Sequence, residues 1–324
     1  MKVLVTGRLP DEVMELIKKE HEVEAHREDR PMDREKLLAA VRDKDGLLCN
    51  ISDAVNEELL SRAPKLKMIA NFGVGFNNID LDAATRRGIP VSNTPDVLTD
   101  ATADTAFALI LATARRVVEG DRRTRRGEFK FWAPQVFLGS EVSGKTLGII
   151  GMGRIGRALA RRAAGFSMKV IYQDSRPLDK AEEKSLGVNP VSMDILLSTA
   201  DFISLHVPLT PETHHLINNK TLAKMKPTAF IINTSRGPVI DEKALVEALK
   251  KGKLAGAGLD VFENEPELAP GLAELNNVVL LPHVGSATLE TRTKMAFLAV
   301  ENLLAGLRGK TPPNCLNCSA IKSS

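Results

Sequence analysis

The segment Lys145-Thr-Leu-Gly-Ile-Ile-Gly151-Met-Gly153-Arg-Ile-Gly156 decides how the rest of the chain is read. An apolar run, Thr146 to Ile150, enters a glycine-rich turn, and an amphipathic helical pattern leaves it from Arg154 to Gly165. The next apolar run, Lys169 to Tyr172, is closed by an acid, Asp174, 18 residues after Gly156. Strand, G-x-G-x-x-G turn, helix, strand and acid in this order form a dinucleotide-binding fingerprint. Gly151 permits the tight turn, Gly153 lets a pyrophosphate approach the backbone, and Gly156 lets helix and strand pack closely. The helix start then offers unpaired N–H groups and a positive dipole end to the phosphates. A carboxylate at Asp174 accepts hydrogen bonds from a ribose 2′-OH and repels a 2′-phosphate, which favours NAD(H). Ser175 and Arg176 follow directly, and an arginine at that turn keeps NADP(H) open.

Outward from this segment the chain alternates strand and helix. On its N-terminal side, Val3 to Thr6, Gly46 to Cys49, Leu66 to Ala70 and Ile89 to Ser92 read as strands, with a helix over Asp11 to Glu20. On its C-terminal side, Phe202 to Leu205, Ala229 to Asn233, Gly256 to Leu259 and Val278 to Leu281 read as strands. Helices are expected over Met193 to Ser198, Asp241 to Lys250 and Thr288 to Leu307. Such alternation implies parallel sheets covered by helices. The Ala-rich stretch Thr99 to Val118 lacks Gly and Pro and predicts one five-turn helix linking two α/β series, with Asp96 or Thr99 capping its start. Pro134 to Ser143 reads as a loop.

Composition bounds the function classes. The 324 residues suit two domains. The chain is 43% hydrophobic and 26% charged, which is ordinary for a globular protein. Aromatic residues make up only 4%, against a base-stacking or sugar-binding surface. A net charge of +3, dispersed along the chain, is too small for a nucleic-acid partner. Arg122, Arg123, Arg125 and Arg126 fall on several sides of a helix, as a solvated face or a subunit contact. Cys49, Cys315 and Cys318 are too few for a secreted disulfide framework. Cys315-Leu-Asn-Cys318 has neither a second pair nor a histidine nearby, so it reads as part of a plain tail, without zinc. No apolar run reaches membrane-helix length, and Met1 to Gly7 is too short for a signal peptide, so a cytoplasmic location without a membrane partner is expected.

Chemistry-bearing residues follow the later strands. They occur in Phe230-Ile-Ile-Asn-Thr-Ser-Arg236-Gly237, Gly258-Leu-Asp260-Val-Phe-Glu-Asn-Glu265-Pro266 and Val279-Leu-Leu-Pro282-His283-Val-Gly-Ser286. Ligands of open parallel sheets sit beyond the carboxyl ends of the strands. His206, His214 and His215 read as structural, and no metal site is expected.

Four motifs in order carry a family resemblance: the Gly151 fingerprint, Asn-Thr-Ser-Arg-Gly from Asn233, Glu-x-Glu-Pro from Glu263, and Pro-His-Val-Gly-Ser from Pro282. From Met1 to about Pro313 the chain resembles the D-isomer-specific 2-hydroxyacid dehydrogenases. Asn71-Phe-Gly-Val-Gly75-Phe-Asn-Asn and Trp132-Ala-Pro134 resemble the glyoxylate/hydroxypyruvate reductase branch. The resemblance implies an α/β enzyme of two Rossmann-like or flavodoxin-like domains with an active-site cleft between them. A discontinuous substrate domain would span 1–98 and 286–324, and a nucleotide domain 99–285.

The resemblance also implies roles. His283 is the expected general acid in reducing a 2-keto acid, because imidazole titrates near neutral pH. Glu265 pairs with it, favouring imidazolium and fixing the ring. Arg236 binds the substrate carboxylate and keto oxygen through its planar fork. Val74 and Gly75 offer backbone amides to the carboxylate, with Asn50 and Ser286 lining the same pocket. Trp132 serves as an interface anchor, or reaches a partner subunit's pocket. Thr102, Arg154, Ile155, Val207, Pro208, Thr213, Thr234, Asp260 and Gly285 join the glycine turn in holding the cofactor. A homodimer is expected. The alternatives are a nucleotide-sensing corepressor or a phosphoglycerate, formate or phosphite dehydrogenase. The chain is too short for the regulatory domain of phosphoglycerate dehydrogenases, and Glu265 stands where formate-type relatives carry Gln.

Overall fold

The computed structural model describes residues 1–321. The chain forms two compact units, Met1–Leu98 together with the chain from Ala287 onward, and Thr99–Ser286. Ser286 falls in the second unit.

The first unit holds a five-stranded sheet in the order β2-β1-β3-β4-β5. Its strands are β1 (Lys2–Val5), β2 (Glu22–Ala25), β3 (Gly46–Asn50), β4 (Met68–Phe72) and β5 (Val91–Ser92). All pair in parallel. Neighbouring residues on a strand face opposite covered layers. Leu47, Cys49 and Ile69 enter one apolar cluster, while Leu48, Met68 and Ala70 enter the other. Burial on both faces explains the continuous apolar runs. The helix Leu289–Leu307, capped by Thr288, lays Ala296, Val300, Leu303 and Leu307 into the second cluster beside Val3 and Met68.

The second unit holds a seven-stranded sheet in the order β12-β11-β10-β9-β6-β7-β8. Its strands are β6 (Thr146–Ile150), β7 (Lys169–Gln173), β8 (Val188–Pro190), β9 (Phe202–Leu205), β10 (Phe230–Asn233), β11 (Gly256–Leu259) and β12 (Val278–Leu280). These too pair in parallel, so their carboxyl ends share one edge. Leu147, Ile149, Phe230 and Ile232 face one cluster, and Ile150 and Ile231 the other.

The long helix expected over Thr99 to Val118 is interrupted. One helix runs Thr99–Ala114 and a second Val117–Arg125, because Arg116 adopts a left-handed conformation at φ 54°. Its guanidinium pairs with Glu119 and lies over the Phe137 ring, holding the break. The C-terminal tail is not plain either. Cys315 and Cys318 form a disulfide, and the residues between them pair with β5. Among the described residues no helix is long and apolar enough to cross a membrane.

Candidate active site

The glycine turn of the second unit is shaped as its sequence demands. Gly151 has φ +96°, and a Cβ there would strike the His206 and Val207 backbone. A Cβ on Gly156 would strike the Gly151 carbonyl. Gly153 faces open space and caps the helix Arg154–Ala164 without a side-chain bond among the described residues. A backbone cradle with free approach at Gly153 fits a pyrophosphate group. Asp174 closes β7 and is tied to this turn. Its Oδ2 accepts from Met152 N–H at 2.6 Å and its Oδ1 from Arg176 N–H at 2.8 Å. Ser175 and Arg176 are exposed beside it. Thr213 Oγ donates to the Pro208 carbonyl at 2.6 Å, folding the segment after β9 that carries Val207. Burial lowers the His206 imidazole to about 4, so it stays neutral, bonded to Ser204.

The reactive groups stand along the same sheet edge, beyond β10, β11 and β12. Asn233 builds the first turn: its Oδ1 accepts from Ser235 N–H and its Nδ2 donates to the Arg236 carbonyl at 2.9 Å. Arg236 Nη1 donates to the Ser235 carbonyl at 2.6 Å. Burial lowers the pKa of its guanidinium and the charge of Glu265 raises it, but an arginine remains charged even so. Glycine is required next to it, because a Cβ on Gly237 would coincide with the Phe262 carbonyl. Thr234 is buried, and among the described residues its hydroxyl has no partner.

Beyond β12, His283 Nδ1 lies 2.8 Å from Glu265 Oε2. Glu265 Oε1 accepts from Phe262 N–H at 3.0 Å. Burial opposes ionisation of Glu265, yet His283, the Phe262 amide and Arg236 outweigh it and hold the carboxyl below its ordinary value. His283 adopts φ 53°, a strained region for a non-glycine residue. Asp260 stabilises that turn by accepting from Val284 N–H at 2.7 Å and Gly285 N–H at 2.8 Å. Both Asp260 oxygens are thus engaged with the histidine turn, and burial raises its pKa. Gly285 packs between Asp260 and Thr102.

Sequence reasoning missed a second histidine–carboxylate pair on this edge. His215 Nε2 lies 2.6 Å from Glu263 Oε1. Glu263 N–H donates to Glu242 Oε1 at 2.8 Å, and Glu242 N–H donates back to Glu263 Oε2 at 3.2 Å. These bonds anchor the loop that carries Glu265. Its signal was the first acid of Glu-x-Glu-Pro. The arginine run, by contrast, lies away from the reactive edge. Arg116, Arg122, Arg123 and Arg126 line a cavity at the amino end of β12, with Glu119 and Glu128.

The first unit presents its own polar edge. Asn50 ends β3 opposite Phe72 of β4. Its Nδ2 donates to the Thr6 carbonyl at 3.2 Å, and buried Asp53 accepts from its N–H at 2.8 Å. After β4 the three carbonyls of the glycine turn are pinned inward. Gly73 O accepts from Thr94 N–H at 3.0 Å, Val74 O from Asn93 Nδ2 at 2.7 Å, and Gly75 O from Asn71 Nδ2 at 2.9 Å. Among the described residues nothing accepts from the N–H groups of Val74 and Gly75. Asn93 and Asp53 escaped the sequence reading, because Asn93 holds a carbonyl 19 positions back and Asp53 accepts from the Thr6 hydroxyl, 47 positions away.

Trp132 is 79% exposed, in a segment that also exposes Phe129, Phe131, Val136 and Leu138. Among the described residues no cluster of His, Cys, Asp and Glu could hold a metal.

The sequence itself matches a known family. Residues 107–285 match the model for the NAD-binding domain of D-isomer-specific 2-hydroxyacid dehydrogenases. The chain belongs to that family. It is 52% identical to a glyoxylate reductase of Thermococcus litoralis, over 100% of this chain and 98% of the relative. A glyoxylate reductase of Paecilomyes thermophila has a similar structure, with a TM-score of 0.88, 37% identity and 98% of each chain covered. An NADPH-dependent glyoxylate/hydroxypyruvate reductase of Sinorhizobium meliloti matches with a TM-score of 0.84, 35% identity and 97% of each chain. The protein is accordingly an oxidoreductase that uses a nicotinamide cofactor.

Proposed function

We propose that the protein reduces a small 2-keto acid, glyoxylate or hydroxypyruvate, to the D-2-hydroxy acid with NADH. The observation that carries this reading is the His283–Glu265 pair beside Arg236, on the sheet edge that also carries the glycine turn. Arg236 supplies a fixed, charged fork for the substrate carboxylate and keto oxygen. A reduced nicotinamide, when bound, would supply the hydride for the keto carbon. Negative charge then develops on the keto oxygen, where Arg236 stabilises it. Glu265 holds Nδ1 of His283, which leaves Nε2–H of the imidazolium to protonate that oxygen. Asp260 fixes the turn from which His283 projects. The amides of Val74 and Gly75, which have no acceptor among the described residues, suit an anion such as a carboxylate, and Asn50 and Ser286 are further candidates for substrate contact.

Gly151, Gly153 and Gly156, with Arg154 and Ile155, cradle the pyrophosphate. Thr102, Val207, Pro208, Thr213, Thr234, Asp260 and Gly285 contact the remainder of the cofactor. Asp174 disfavours a 2′-phosphate, and Arg176 beside it is the residue through which NADPH would be accepted. The exposed apolar segment with Trp132 fits a homodimer contact.

Glyoxylate, hydroxypyruvate and pyruvate, each tested with NADH and NADPH by the loss of nicotinamide absorbance, check the proposal. Fastest turnover of one of the first two with NADH is expected. Cofactor binding without oxidation by any keto acid would contradict it.

A further inference from the structure

We propose that Cys315 and Cys318 are a thiol–disulfide redox site that sets how firmly the Val74–Gly75 nest is held. The two sulfurs are joined, closing the loop Cys-Leu-Asn-Cys. Inside that loop Leu316 N–H donates to the Val91 carbonyl at 2.7 Å, and Asn317 Oδ1 accepts from Val91 N–H at 2.9 Å. Asn317 Nδ2 donates to Thr85 Oγ at 2.9 Å and the Ile89 carbonyl at 3.0 Å. Ser92 and Cys315 form an antiparallel bridge. The loop therefore serves as the outer partner of β5, a two-residue strand whose one sheet neighbour is β4.

The residues that leave β5 hold the nest. Asn93 Nδ2 donates to Val74 O, and Thr94 N–H donates to Gly73 O. Both bonds tie down the turn whose Val74 and Gly75 N–H groups have no acceptor among the described residues. A change at the cysteine pair reaches the nest through β5 and two further residues.

Two features favour a redox site over a stability staple. A disulfide across three residues removes little freedom from an unfolded chain, so its loss leaves the fold standing. Both cysteines are partly exposed, which gives a thiolate access to the sulfur it must attack. The partner is a small thiol or a protein dithiol. Two R–SH groups give two electrons and two protons to the pair. The Cys315–Cys318 bond breaks, both sulfurs become thiols, and one RS–SR bond forms. The reverse reaction with RS–SR restores the disulfide. Cys49 takes no part, because it is buried in β3 and burial pushes its thiol up.

The effect on substrate rests on the function proposed above. The full-length protein is measured before and after reduction with dithiothreitol, with the native thiol count taken by a membrane-impermeant alkylating reagent. Reduction should expose two thiols and raise KM for the keto acid about fivefold or more, the scale of a modest coupling between sites. Affinity for NADH should not move, and reoxidation with a small disulfide should restore KM. The double variant Cys315→Ser/Cys318→Ser should match the reduced protein and ignore dithiothreitol. Complete reduction with KM unchanged overturns the proposal, as does a KM shift that persists on reduction of the double variant. If neither redox state turns over any keto acid, the functional reading fails on its own. Amide exchange of Thr94 then decides: faster exchange on reduction supports the site, and unchanged exchange overturns it.

Discussion

Replacing Gly237 by alanine tests the link between the two loops that carry Arg236 and Glu265. A Cβ at Gly237 would land on the carbonyl carbon and oxygen of Phe262 and press on Glu263 N, far inside the 3.4 Å at which ordinary contact begins. The obstacle is backbone on both sides, so no rotamer relieves it. One of the two segments must move by on the order of 1 Å, an overpacking strain of about 1–3 kcal/mol. Phe262 N–H holds Glu265 Oε1 at 3.0 Å, and Arg236 adjoins Gly237 directly. The displacement therefore falls on the groups that orient His283 and bind the substrate. Misplacement of about 1 Å near reacting groups costs on the order of 10²-fold in rate. Gly237→Ala should lose about that much in kcat/KM for glyoxylate and melt earlier, while still binding NADH through the Gly151 turn, which the added Cβ does not touch. Gly165→Ala is the control, because its Cβ would meet only the Arg162 carbonyl, at 3.4 Å. Absorbance kinetics, a thermal melt and NADH fluorescence titration make the comparison. A folded Gly237→Ala enzyme with kcat/KM within a few-fold of the parent would refute the reasoning.

Three other outcomes follow from the same geometry. Arg236→Ala should lose about 3 kcal/mol of transition-state stabilisation, roughly two decades in kcat/KM, with NADH affinity retained in a fluorescence titration. Asp174→Ala should weaken NADH binding and relax discrimination against NADPH, measured as the ratio of the two dissociation constants. It also removes the acceptor of the Met152 amide, so some loss for both cofactors is expected. Glu242 is buried, and burial, above all, raises its pKa. A raised carboxyl stabilises the fold below the ordinary carboxylate pKa, and that contribution is lost as pH rises through the raised value. In denaturant titrations the stability of Glu242→Gln relative to the parent should therefore increase as pH rises through that window; a difference that does not change with pH would contradict the buried acid.

The sequence reading was strongest where physics leaves few choices. An apolar run that ends in Gly-x-Gly-x-x-Gly and restarts as an amphipathic helix has one economical backbone path, and Thr146–Ala164 follows it. The strands flanking Arg236, Glu265 and His283 were legible because burial on both faces demands continuous apolar residues. β2 and β8 were not legible, being short edge strands whose exposed side tolerates Glu22, Glu24 and Asn189. The break at Arg116 had no local signal, because neither Gly nor Pro makes it. It depends on Glu119 and on Phe137, which lies in a loop 21 positions later. The cysteine spacing was visible, but the pairing of the tail with Val91 spans 226 positions and follows only from the folded first unit. Likewise Asn93 carries no mark in its own neighbourhood of the carbonyl it holds, since Val74 lies on another strand's turn.

The central claim, that His283 protonates the keto oxygen, is tested most directly by His283→Ala. Steady-state turnover of glyoxylate and equilibrium binding of NADH are measured on the same preparation. Turnover should fall by about 10²–10⁴-fold, the range of a lost general acid, while the NADH dissociation constant stays near that of the parent. Turnover close to the parent's in a variant that binds NADH normally would contradict the claim.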